Sequence, residues 1–231
     1  MKIRQLFDYE TWTYSYLIWD DVTKEAAIID AVFEQVERDL KLIKELGLSL
    51  KYCFETHIHA DHITGAGLLR DATGAQVAVH KHAETDCADI LTCEGESFQL
   101  GGQVVKILHT PGHTNTDITY LIDGAAFTGD TLFVRDCGRT DFQLGSNKDM
   151  YHSITEKLFA LPDETIVYPA HDYNGMNQST IGEEKQFNNR VGAGKSFEEF
   201  AKIMDNLNLA EPKRLHISVP GNMQCGKIKE D

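Results

Sequence analysis

Leu50-Lys51-Tyr52-Cys53-Phe54 leads through Glu55 into Thr56-His57-Ile58-His59-Ala60-Asp61-His62, which sets three imidazoles and a carboxylate within seven residues. The first stretch reads as a strand. Strand side chains alternate faces, so His57 and His59 point the same way, while Asp61 and His62 fall on the turn where the chain opens into a helix. Four metal-type ligands therefore gather at one strand end. The bland alternative is four unrelated polar residues on a loop. It is disfavoured because imidazoles and a carboxylate buried this closely are costly without a metal or complete hydrogen bonding.

The 231 residues fit one large domain, or one with a short appendage, and 42% hydrophobic residues supply a substantial core. With 22 basic against 36 acidic residues the formal charge is −14, which repels a phosphate backbone or an anionic membrane surface. Neither nucleic acid nor membrane is an expected partner. An anionic small substrate needs a few local Arg or Lys side chains to overcome that field. The N-terminus Met1-Lys2-Ile3-Arg4-Gln5-Leu6-Phe7-Asp8 has no leader-like apolar run, and no stretch is long enough to cross a bilayer, so the expected location is cytoplasmic. Cys53, Cys87, Cys93, Cys137 and Cys225 are odd in number and contain no Cys-x-x-Cys. Reduced, mostly buried thiols are expected, with no disulfide framework.

Tyr14 to Ile18 and Ala26 to Asp30 read as strands joined by a polar hairpin connection, so the sheet is expected to begin antiparallel. Val36, Leu40, Ile43 and Leu46 recur at helical spacing, with Gly47 as the stop. After the Leu50 to Phe54 strand come a helix from Gly65 to Ala72 stopped by Gly74, and a strand from Gln76 to His80. Strands are predicted at Gln103 to Leu108, Ile118 to Ile122, Ala125 to Phe127 and Thr165 to Tyr168, and helices at Met150 to Leu161 and Phe197 to Leu207. Mixed strands and peripheral helices indicate a layered α/β catalytic domain over residues 1–181, with 182–231 a helical or extended appendage packed on it.

Three later segments extend the first motif. Thr110-Pro111-Gly112-His113-Thr114 puts an imidazole on a tight turn, Phe127-Thr128-Gly129-Asp130 ends a strand with a carboxylate, and Tyr168-Pro169-Ala170-His171-Asp172 ends another with an imidazole. Neutral imidazole and carboxylate without thiolate suit iron, zinc or manganese better than a soft metal.

His-x-His-x-Asp-His, then Gly-His-Thr, then Gly-Asp, then a late His resembles the ligand series of the metallo-β-lactamase superfamily, and spans Thr56 to His171. The resemblance implies a four-layer αββα sandwich with the metals at one edge of two sheets. In two-metal members it assigns His57, His59 and His113 to one site, Asp61, His62 and His171 to the other, and Asp130 as the bridge.

Further along, Cys137-Gly138-Arg139-Thr140-Asp141-Phe142-Gln143, then His171-Asp172-Tyr173 followed by Gly175, and the ending Val219-Pro220-Gly221-Asn222-Met223-Gln224-Cys225-Gly226 resemble persulfide dioxygenases, also called sulfur dioxygenases. Glyoxalase II enzymes share only the Cys-Gly-Arg portion, and the short tail leaves little room for their helical domain. Asp136, Gly221 and the pair Leu215-His216 depart from the dioxygenase pattern, which more often has Gly, Ala and Ile-Asp there; Asp136 puts an extra carboxylate beside a site for an anion.

This resemblance implies one Fe(II) per chain held by His57, His113 and Asp130, leaving positions for water, dioxygen and substrate sulfur, with zinc or manganese as alternative metals. It implies oxidation of glutathione persulfide with O2 to sulfite and glutathione in sulfide detoxification, by a homodimer. His59, Asp61, His62 and His171 become orienting groups around the iron or a second metal set, and His171 and Tyr173 are the catalytic candidates. The rival reading is a binuclear hydroxyacylglutathione hydrolase, and a third is a non-catalytic metal-binding fold.

Single residues carry open alternatives. Arg139 either grips a glutathione carboxylate or pairs with Asp141 or a loop carbonyl. Tyr173 either donates its hydroxyl to substrate or packs under the metal loop. Arg190 is either a carboxylate contact or a solvated helix-end charge. Cys137 is a packed thiol or forms a mixed disulfide with substrate. His80, His82, His109, His152 and His216 lack ligand spacing and are expected to be surface or satisfied structural histidines, and 227–231 a solvated end.

Overall fold

The apolar alternation of the first strands builds two cores at once. In a computed structural model, which describes residues 1–212 and 214–227, β2 (Thr13–Trp19) is buried along its whole length. Tyr14, Tyr16 and Ile18 face one core, and Leu17 and Trp19 face another. A strand buried on both faces lies between two layers. The last residues, 228–231, expected as a solvated end, lie outside the described residues, as does Lys213.

The first sheet has the order β1 (Lys2–Asp8), β2, β3 (Glu25–Ile29), β4 (Ser49–Phe54), β5 (Gln76–His80), β6 (Ile90–Thr92). It is antiparallel through β3 and parallel from β3 onward. The second has β7 (Ser97–Leu100), β8 (Gln103–His109), β9 (Ile118–Ile122), β10 (Ala125–Gly129), β11 (Ile166–Pro169) and β12 (Ser179–Thr180) in that order, with only β10 and β11 parallel.

Between the sheets, Phe54 stacks on Tyr120 at 4.6 Å between ring centroids, beside Phe98, while Tyr16 meets Phe127 and Tyr168. On the outer face of the first sheet lie α1 (Val36–Glu45) and α2 (Ala66–Thr73). Gly74 ends α2 in the left-handed conformation at φ 78°, its N–H donating to the Arg70 carbonyl. On the outer face of the second, α3 (Asn147–His152), its continuation Ser153–Leu158, α4 (Ile181–Phe187) and α5 (Phe197–Asp205) enclose a core around Ile154, Leu158, Val167 and Phe200. The result is the expected αββα sandwich.

Several elements depart from the sequence reading. The helix expected from Met150 starts at Asn147, where the Ser146 hydroxyl accepts the Asp149 N–H, and widens after His152 into a π turn. β1 and α6 (Leu215–Asn222) were not anticipated. β1 is a half-buried edge strand of mixed polarity, and α6 contains Pro220 and Gly221. The boundary expected at 181/182 falls inside α4, and α4 and α5 pack into the same core as the second sheet. The expectation of reduced thiols holds for Cys53, Cys93 and Cys137 but not for Cys87 and Cys225, which form a disulfide. These two are separated by 138 residues, so their approach is made by α6 folding back over α2 and leaves no spacing signal.

Phe54→Ala is expected to cost about 3–5 kcal/mol of unfolding free energy, since the ring is fully buried between the sheets. Equilibrium urea denaturation checks this; a loss under about 1 kcal/mol would mean the inter-sheet core repacks freely.

Candidate metal centre

Four strand ends and one loop deliver the ligand series to one edge of the sandwich. β4 ends at Phe54 and releases His57, His59, Asp61 and His62; β8 runs into the loop carrying His113; β10 ends beside Asp130; β11 ends beside His171. All except Asp61 are buried. Two glycines permit the approach. A Cβ on Gly112 would enter the Met150 backbone, and one on Gly129, at φ 53°, would lie 2.6 Å from Thr56 Oγ1.

Hydrogen bonds on the far side of each ring fix which nitrogen faces inward. His113 Nδ1 donates to the Arg139 carbonyl at 2.7 Å, and His171 Nδ1 to the Trp12 carbonyl at 2.9 Å. His57 Nδ1 lies 3.0 Å from the Thr56 hydroxyl. His59 Nε2 donates to Asp30 Oδ1 at 3.1 Å and faces Glu55 Oε2 at 3.3 Å. Such outer contacts set tautomer and ring orientation for ligation.

Inward, the groups stand apart from one another. His113 Nε2 is 3.4 Å from Asp130 Oδ2, and His171 Nε2 is 3.5 Å from Asp130 Oδ1 and 3.6 Å from Asp61 Oδ2. These spacings exceed hydrogen bonds to a ring nitrogen. His59 Nδ1, His62 Nε2 and Asp130 Oδ1 are buried with no partner among the described residues. Three orphaned polar atoms at one place are expensive unless a cation takes them, so the residues fit a metal. They fall into two sets, His57, His113 and Asp130 in one and His59, Asp61 and His62 in the other. The His59 ring lies between the sets, 4.1 Å from that of His57 and 4.3 Å from that of His62.

Charge differs between the sets. Burial, reinforced by His59 and His113, holds His57 well below the usual imidazole range, which keeps it neutral and ready to ligate. For His59 burial opposes charging, but Asp30 and Glu55 raise it well above that range. Burial also pushes Asp61 up, yet the His62 and His171 imidazoles hold it well below the carboxylate range. Asp61 Oδ2 further accepts the Thr13 hydroxyl at 3.0 Å and faces His62 Nδ1 at 3.0 Å.

A cavity of about 420 Å³ opens from Asp130, His113 and His171, within the range of small-molecule sites. Its walls carry Tyr173, Arg139, Arg190 and Asp136. Tyr173 is 60% exposed and stacks along His171 at 5.9 Å, so it lies at the mouth and not beneath the loop. Partial desolvation at the cavity mouth, with Asp130 and Asp61 nearby, raises its hydroxyl well above the phenol range. The Arg139 fork is closed on Asp141 at 2.6 and 2.8 Å and its Nη1 donates to the Ala210 carbonyl, which is the structural pairing. Arg190 is not a solvated helix-end charge; its guanidinium is paired with Asp136 and donates to the Cys137 carbonyl. Cys137 is a packed thiol, pushed up to about 12 by burial.

Asp30, Glu55 and Asn222 were missed. Asp30, at φ 52° beyond β3, accepts the Thr56 N–H and hydroxyl at 2.7 and 2.8 Å as well as His59. Asn222, at the end of α6, donates to the His59 and His62 carbonyls at 2.9 Å and accepts the Thr64 N–H at 2.8 Å. The sequence signal for Asp30 was a carboxylate at the end of an all-apolar strand. His80, His82 and His109, expected as unrelated histidines, also come together away from this centre, whereas His152 pairs with Glu156 and His216 is exposed.

A match to the metallo-beta-lactamase superfamily spans residues 13–171. The mitochondrial persulfide dioxygenase ETHE1 of Mus musculus is 46% identical over 226 residues, covering 97% of this chain and 88% of its own, and that of Homo sapiens has the same identity and coverage. The crystal structure of ETHE1 from Myxococcus xanthus superposes with a TM-score of 0.96 at 51% identity, over 98% of this chain and 100% of that one. The ligand series at the strand ends, the paired sheets and a likeness that runs almost end to end have one common explanation: the chain belongs to the metallo-beta-lactamase superfamily, and within it is similar to the persulfide dioxygenases.

Proposed function

We propose that this protein is an iron-dependent persulfide dioxygenase that converts glutathione persulfide, dioxygen and water to glutathione and sulfite. The observation that carries the reading from fold to chemistry is a cavity that opens on His113, Asp130 and His171 and is walled by paired cations and a tyrosine. The balance is complete: the terminal sulfur gives up four electrons, dioxygen takes them and supplies two sulfite oxygens, water supplies the third, and the sulfur–sulfur bond breaks with the thiol as leaving group.

One ferrous ion per chain is assigned to His57, His113 and Asp130, where it would supply one-electron redox chemistry with open positions beside the triad. Mononuclear use rests on the likeness to the persulfide dioxygenases, because in the other set Asp61 is engaged by Thr13 and His62 while His59 Nδ1 and His62 Nε2 have no partner among the described residues. His59, Asp61, His62 and His171 then orient and polarise the triad. Zinc or manganese can occupy the same donors, because neutral imidazole and carboxylate do not discriminate strongly among these metals.

The remaining residues bind and shape. His113 is held by the Arg139 carbonyl, so the Cys137 to Phe142 segment positions a ligand as well as a cavity wall. Tyr173 keeps its proton and stands at the mouth, where Oη can donate to a sulfur or oxygen anion. Arg190 and Arg139 line the cavity with Asp136 and Asp141 on their forks, so the wall offers donors with little net charge. Glutathione carboxylates must share these forks, and Asp136 is the competitor closest to Arg190. A homodimer belongs to the same proposal and rests on the family likeness alone.

Iron-loaded protein given glutathione persulfide should consume dioxygen and release sulfite one for one, with no sulfite under argon. Oxygen-independent release of a hydroxyacid from an acylglutathione, with no sulfite from persulfide, would instead favour the hydrolase. Asp136→Asn should lower the KM for glutathione persulfide roughly two- to fivefold at unchanged kcat, the scale of a partly exposed ion pair; steady-state oxygen uptake reads this, and an unchanged KM would free Arg190 from any part in binding. Asp30→Asn should weaken iron retention about 10–100-fold while the protein stays folded, measured by competition with a chelator.

A further inference from the structure

His80 ends β5 in the first sheet, His82 lies on the turn that follows it, and His109 ends β8 in the second. Packing of the two sheets brings one ring nitrogen from each within 4.8 Å of the others. The His80 and His109 rings stack at 4.1 Å, and His82 meets them edge-on at 4.6 and 5.5 Å. Three imidazoles in contact, with no carboxylate among them, need an explanation.

Stacking at 18° keeps the His80 and His109 ring planes nearly parallel, so one ring must turn to share an ion, but both have a nitrogen free for it. His109 Nε2 donates to the Asn115 carbonyl at 3.1 Å, which leaves Nδ1 with its lone pair, the outer contact usual for a metal-bound imidazole. His80 is 3% exposed, and its Nδ1 is buried without a partner. Burial, with His109 and His82 adjacent, pushes His80 down to about 3, and burial lowers His109 too, so both rings present the neutral form that binds metals. His82 is exposed and leaves the position open to solvent. Glu94 accepts the His109 backbone N–H and the Lys157 ammonium, not a ring nitrogen.

We propose that His80, His82 and His109 form a second metal site, for a divalent cation of the zinc class. Three imidazoles without thiolate or carboxylate select borderline ions such as Zn(II), Ni(II) and Cu(II) over Mg(II) or Ca(II). Nitrogens around one tetrahedral zinc stand about 3.3 Å apart, and rotation of the exposed His82 with a shift of the half-buried His109 ring closes the remaining gap. The site shares no residue with the iron centre, and its existence does not depend on the proposed reaction. Its placement gives it a role: the ion joins β5 to β8, and His109 is four residues ahead of His113, so binding braces the entry to the loop that carries an iron ligand.

The test is Zn(II) titration of the full-length, iron-loaded protein, comparing wild type with His82→Gln and His109→Gln, with zinc and iron counted after desalting. The expected result is one more zinc per chain in wild type than in either variant, at least tenfold weaker zinc binding in His82→Gln, unchanged iron, and a zinc-edge anomalous peak between the three rings. Equal zinc uptake by wild type and both variants, or a peak confined to the iron centre, overturns the proposal. His82→Gln changes only an exposed side chain, so its folding is secure, and its oxygen uptake without added zinc should match wild type.

Discussion

Buried lone pairs that no protein donor satisfies are the constraint around which this molecule is organised. His59 Nδ1, His62 Nε2 and Asp130 Oδ1 are removed from water and left without partners, a state that costs about 1–3 kcal/mol per group when nothing replaces the lost hydrogen bond. A bound cation turns that cost into affinity. The fold holds the atoms apart against their tendency to pair, and it does so through contacts on the outer side of each ring. Arg139 and Trp12 carbonyls, Asp30 and Glu55 each take the nitrogen that is not needed inside.

Those outer contacts explain why the C-terminal segment belongs to the site. Asn222 fastens the His59 and His62 carbonyls from α6, and just beyond α6 Cys225 is bonded to Cys87 in the β5–β6 connection and its carbonyl accepts the Gly67 N–H of α2. A Cβ on Gly67 would enter the Cys225 carbonyl, so the approach is close enough to exclude any side chain there. The ligand loop is therefore clamped between the end of β4 and the last described helix. The same economy appears in the cavity, where the Arg139 carbonyl positions His113 while its guanidinium closes on Asp141.

The ligands were legible because each follows a strand whose apolar run can be read; alternation does not place His57 and His59, since β4 ends at Phe54 and both lie on the loop beyond it. The layered fold was legible for the same reason, since β2, β3 and β10 are apolar enough to require cover on both sides. What was hidden depends on contacts between distant segments. Asp30 meets Thr56 across 26 residues and Asn222 meets His59 across 163, and neither separation leaves a periodic trace. His80 and His109 look unrelated until the two sheets pack. Arg190 was underrated because its partner Asp136 lies 54 residues away, and the π turn after His152 has no marker in composition.

The cavity adds a chemical consequence. Paired guanidiniums and a protonated tyrosine surround the triad, so an anion entering there meets oriented donors more than net positive charge. That suits a protein of formal charge −14, in which long-range attraction of an anionic substrate is weak and local geometry must supply recognition. Where the metal sits decides which chemistry the cavity can support. Iron-edge anomalous diffraction from anaerobically loaded crystals, with iron counted in the same preparation, is the direct measurement. One iron per chain among His57, His113 and Asp130 is the predicted result, and two irons bridged by Asp130, or iron held only by His59, Asp61 and His62, would contradict it.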